Sequence, residues 1–172
     1  MAWTSPSTWV AGATVTAAQL NTQIRDNVKA ISSRVYVQRS TAGTFTGTGI
    51  SSFNWDLAGT NPMAMYVAGT PSRLNCVTAG TFRVLFAIGL TVTSGTAQVN
   101  IRKNGTTVLW NSTVVSVSAT FGTAGPGLYF TLLATDYLEL CVTTSVASGV
   151  ALANDGLQLG TVADCSMEWI GT

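Results

Sequence analysis

"FRVLFAIGLTV", residues 82–92, decides the fold. Phe82, Val84, Phe86, Ile88, Leu90 and Val92 take alternate positions, with Arg83, Leu85, Ala87, Gly89 and Thr91 between them. Successive side chains of an extended chain point to opposite faces, so this pattern predicts a long strand with one face in a core. The other face is neither charged throughout nor strongly polar, and it suits contact with a neighbouring subunit.

Outward from this strand the same period continues. "AQVNIRKNGTTVLW" (97–110) is a hairpin, with Asn104-Gly105 as a type I′ turn between Val99 and Ile101 on one arm and Val108 and Trp110 on the other. "GLYFTLLA" (127–134), "DYLELCVTT" (136–144) and "DCSMEWIGT" (164–172) are three more strands, and Cys165, Met167 and Trp169 share a face of the last. Gly-, Ser- and Thr-rich links separate these segments at sandwich spacing, and about ten strands fit. The expected fold is mainly β: a two-sheet jelly-roll sandwich over residues 35–172.

Residues 1–34 differ. "VTAAQLNTQIRDNVKAI" (15–31) reads as a helix. Thr16 is the N-cap, Gln19 completes a T-x-x-Q capping box, and Val15 is placed to staple onto Leu20. The apolar positions Ala17, Leu20, Ile24, Val28 and Ile31 form a narrow stripe. So narrow a stripe suits a seam between copies of the helix, or a partner's surface, better than a broad core-facing side. Packing on its own β domain is the alternative. The preceding arm holds Trp3, Pro6, Trp9 and Val10 among small residues. Two indoles in a non-helical arm need burial, on another chain or on their own domain.

Composition limits the chemistry. Charged residues are 9% of the 172, against about 25% in ordinary globular proteins. The eight basic residues are scattered and the net charge is +1, which provides no footprint for nucleic acid or anionic lipid. Low charge favours self-association. No signal peptide or membrane-spanning run is read in the sequence. Histidine is absent, so neither a Ser-His-Asp nor a Cys-His arrangement can form within the chain. No phosphate- or dinucleotide-binding fingerprint occurs. Of the seven carboxylates, Glu139 and Glu168 fall on strands near the C-terminus, as neighbours or as partners of Arg83 or Arg102. Asp136 and Asp155 fall at turns. Cys76, Cys141 and Cys165 read as small core residues, with one inter-strand bridge as the alternative. No catalytic, metal or cofactor site is expected, and no cofactor.

Two blocks carry a resemblance. "TWVAGATVTAAQLNTQIRDNV" (8–28) resembles an N-terminal segment of tailed-bacteriophage structural proteins: a Trp, a Gly, then V-T-A-x-Q-L-N-x-x-I-R-D-N. Residues 55–90, 99–108, 132–142 and 165–172 resemble the C1q/tumour-necrosis-factor-like jelly roll. Its markers are the A-G-x-[FY]-x-V strand at Ala79–Val84, the Asn-Gly hairpin and the G/T-D-Y-[LV]-x-L strand at Thr135–Leu140. Thr135 stands where animal members carry Gly, and the acidic cluster of their calcium sites is missing.

Together the resemblances imply a non-enzymatic, homotrimeric virion protein, made in a bacterial cytoplasm and displayed on the particle surface. Leu20, Ile24, Val28 and Ile31 would form the trimer seam. Trp3, Pro6, Trp9 and Val10 would anchor a capsid decoration or cementing protein on the major capsid protein. The alternative is a tail-fibre tip or receptor-binding protein for a host surface glycan or receptor. Its recognition loops would be 117–129 and 143–156, with Phe121, Tyr129 and Asp155.

Overall fold

The computed structural model describes residues 8, 11–26, 28, 34–52, 54–61, 63–116, 119–125, 127–153 and 163–171. Trp3, Pro6, Trp9, Val10, Ile31 and Asp155 lie outside the described residues.

The helix opens as read. The Gln19 N–H donates to Thr16 Oγ1 at 3.2 Å, and the Thr16 N–H donates to Gln19 Oε1 at 2.9 Å. The α-helix α1, Ala17–Leu20, then passes into a π-helical stretch, Asn21–Asp26. No residue of α1 is buried. A helix this short depends on packing for its regularity. Val15 and Leu20 are both exposed.

The remainder is two antiparallel sheets. The strands are β1 (Arg34–Arg39), β2 (Gly43–Phe45), β3 (Gly49–Ser52), β4 (Leu57–Ala58), β5 (Leu74–Asn75), β6 (Gly80–Val92) and β7 (Thr96–Lys103). They continue as β8 (Thr107–Asn111), β9 (Val115–Ser116), β10 (Ala119–Ala124), β11 (Leu128–Leu132), β12 (Tyr137–Thr144), β13 (Val150–Leu152) and β14 (Ala163–Gly171). The first sheet runs β2-β13-β6-β14-β1-β4, with β10 and β11 on the other side of β6; the second runs β3-β12-β7-β8, with β5 on β12 and β9 on β7. The described residues thus form fourteen strands rather than about ten, because short edge pieces such as β2, β4 and β5 carry no alternation long enough to read.

The 13-residue strand β6 is the spine. Phe82, Val84, Phe86, Ile88, Leu90 and Val92 are all buried. They meet Val35 and Val37 of β1, and Cys165, Met167 and Trp169 of β14, in one core with Val99, Ile101, Leu138, Leu140 and Val142 of the second sheet. Phe86 packs edge-on to Trp110 of β8 with ring centroids 5.3 Å apart, tying the two sheets together. The hairpin turns as expected: Asn104 and Gly105 hold φ of 53° and 70°, the left-handed pair a type I′ turn requires. All three cysteines are buried and free, so the inter-strand bridge does not form.

Candidate functional site

Three surfaces remain once the core is assigned. The first is the helix. Leu20, Ile24 and Val28 are 44%, 54% and 57% exposed, so these positions of the apolar stripe are about half open to solvent among the described residues.

The second is the outer face of the first sheet. Arg34, Glu168, Arg83 and Tyr129 stand in register across β1, β14, β6 and β11. Arg83 Nη2 donates to Glu168 Oε2 at 2.6 Å. The next rows bring Tyr36, Ser166 and Leu85 together, then Gln38, Asp164 and Ala87. The face is therefore more polar than β6 alone suggests, because β1 and β14 add Arg34, Asp164 and Glu168. Tyr129 is 62% exposed and belongs to strand β11. Phe121 lies in strand β10, opposite Leu90 of β6. Most of 117–129 is therefore sheet and not a free recognition loop. Its Gly- and Ala-rich composition hid this, since small residues leave no hydrophobic period to read. Within 143–156, Val150–Leu152 is strand β13.

The third surface is a polar cleft of about 300 Å³ that sequence reading missed. It opens where β2, at an edge of the first sheet, crosses to β3, at an edge of the second. Arg39, Thr44, Ser51, Ser52 and Asn54 line it above Phe45 and Leu152. Arg39 Nε donates to Thr41 O at 2.9 Å and Nη1 to Asn54 O at 2.7 Å. Asp56 holds the adjoining turn by accepting from the Ser40 and Thr41 N–H groups at 2.9 and 3.1 Å. Burial alone would raise the Asp56 carboxyl, but these bonds outweigh it and lower its pKa. No sequence signal marked Arg39: it is the last residue of a strand, and its cleft partners come from two later ones.

The carboxylates named from sequence do not converge. Glu139 is on β12 in the second sheet and Glu168 on β14 in the first, so they are not neighbours. Glu139 Oε1 accepts from Ser72 Oγ at 2.9 Å and lies 3.9 Å from Arg73 Nε. Asp136 is a turn cap, as expected. It accepts from the Leu133 N–H at 2.9 Å and from Asn104 Nδ2 at 2.7 Å, with Lys103 Nζ at 3.6 Å. The Leu133 and Asn104 bonds lower its pKa. Burial pushes the Cys76 and Cys141 thiols up to about 12, and Asp136 and Glu139 add to the effect. Among the described residues no three His, Cys, Asp or Glu side chains gather as a metal site. No described helix is long and apolar enough to cross a membrane.

No protein-family model matches the chain, and no curated protein matches it in sequence. Solved structures do. The globular domain of the zebrafish complement 1qA protein aligns with a TM-score of 0.57 at 12% identity, covering 80% of this chain and 97% of that one. Murine APRIL at pH 8.0 aligns with a TM-score of 0.55 at 12% identity, covering 79% and 98%. The fold is a C1q/TNF-like jelly roll. That part of the expectation drawn from residues 55–172 holds.

Proposed function

We propose that the chain is a non-enzymatic structural protein of a tailed-bacteriophage virion. In this reading it is a homotrimer that decorates the capsid, anchored on the major capsid protein by residues 1–15 and projecting its β head outward.

The observation that carries the reading is the exposed stripe of Leu20, Ile24 and Val28. It sits inside the block that resembles phage structural proteins and next to a jelly-roll head. Covering what remains exposed of these half-open side chains contributes about 1 kcal/mol each, a gain that a bundle of helices from three copies would collect. Three arms on one rigid body act multivalently, so weak single contacts add to firm attachment. Contacts made only with assembled capsid stabilise the shell by mass action.

The test is deletion of residues 1–15. The shortened protein is expected to stay folded and oligomeric and to lose binding to capsids. Decoration at the full-length level would contradict the anchor. Separately, Leu20→Asp with Ile24→Asp is expected to dissociate the oligomer while the β circular dichroism is retained.

A further inference from the structure

The cleft at the β2–β3 crossover has chemistry that the virion reading does not use. Its floor, Phe45 and Leu152, is buried. Thr44, Ser51, Ser52 and Asn54 line the cleft, together with one cation, Arg39. Among the described residues no carboxylate forms an ion pair with Arg39. Asp56 is occupied with the turn N–H groups and with Ser40 Oγ at 3.2 Å.

A guanidinium carries five donors in a planar fork. The Thr41 and Asn54 carbonyls engage Nε and Nη1, which fixes the plane of the group without neutralising it. Nη2 lies beside Gly43, where a Cβ would stand 3.2 Å from it. The bare glycine therefore keeps that nitrogen accessible. The cleft is also anchored: Thr144 Oγ1 donates to Gly47 O at 2.7 Å, tying the crossover turn to β12. The pairing of Ser51 and Ser52 with Val142 and Cys141 fixes the other wall.

We propose that this cleft binds a carboxylate-bearing sugar residue. A volume of about 300 Å³ lies at the lower end of the range of small-ligand sites and suits a single ring. One guanidinium balances one carboxylate, and a lining of neutral polar residues matches ring hydroxyls. A phosphate dianion would leave charge unbalanced here, since among the described residues Arg39 is the single charged one of the lining. The site is independent of the arm and helix, and it stands whether the chain is found on a head, on a tail or on neither.

The test is calorimetric titration of the full-length protein with sodium glucuronate, glucose and inorganic phosphate. Glucuronate is expected to bind in the millimolar range or tighter, and both others about tenfold more weakly, as the loss of a charge-assisted contact predicts. Arg39→Gln is expected to abolish the preference for glucuronate over glucose. Gly43→Val, which keeps the Arg39 charge but crowds its Nη2 and the cleft, is expected to weaken both sugars. It decides the matter if Arg39→Gln fails to fold by circular dichroism. Equal binding of glucuronate and glucose, no millimolar binding of glucuronate, or full binding by Gly43→Val would overturn the proposal. Phosphate binding as tight as glucuronate would mark a plain anion site and overturn it too.

Discussion

At the scale of single residues, Asp136 shows how a carboxylate serves the fold without chemistry. It is 5% exposed and joins the turn before β12 to the β7–β8 hairpin through Leu133 and Asn104. Replacing it with Ala strands both donors and is expected to cost about 2–3 kcal/mol in urea denaturation. Its pKa is lowered in the folded state from 3.8. The stability it contributes is therefore full above the unfolded value and is lost as pH falls through the lower folded value. The acid limb of the melting curve below about pH 4 should accordingly be shallower in Asp136→Asn; an unchanged limb would contradict the assignment. The cysteines make a second prediction. Cys76 and Cys141 are buried with thiols near 12, and Cys165 is also pushed upward by burial. None should react with a disulfide reagent at pH 8 until the protein is unfolded. Rapid labelling of the native protein would show that the core opens.

At the scale of elements, β6 carries the sandwich. Phe82 is fully buried, and Phe82→Ala is expected to cost about 3–5 kcal/mol. A Cβ at Gly125 would run into the Phe86 ring, so Gly125→Ala should also destabilise, by displacing the aromatic that meets Trp110. Gly105→Ala places a side chain at φ +70°, and a loss of about 1 kcal/mol or more is expected in thermal denaturation. These elements also show what could be read beforehand. The alternation of β6 was visible because its two faces differ, and the hairpin because Asn-Gly answers a specific backbone demand. Strand β10 was misread as loop because, Phe121 apart, its residues are small and carry no hydrophobic period. The helix start was readable from Thr16 and Gln19, since capping is local. Its π-helical continuation was not, since regularity there depends on what the helix meets. The cleft was invisible for a related reason: Arg39, Thr44 and Ser51 have no shared period and are brought together only by the crossover between sheets.

At the scale of the whole molecule, a low-charge β head follows a helix with exposed apolar positions. Such surfaces call for partners, and the proposed partners are two further copies and a capsid. Leu85 lies half-buried on the outer face of the first sheet, where the proposed trimer would close. Leu85→Lys is expected to leave the thermal transition of the isolated chain within about 0.5 kcal/mol, as for a surface substitution, and to shift the mass in light scattering toward monomer. An unchanged mass would place the trimer contact elsewhere. The central claim is that the protein belongs to a virion. The most direct measurement is its copy number per particle, by quantitative mass spectrometry of purified virions against the major capsid protein. A near-stoichiometric ratio to capsid subunits is expected. A handful of copies would contradict decoration and favour a tail or vertex role, and absence from the particle would contradict the virion reading altogether.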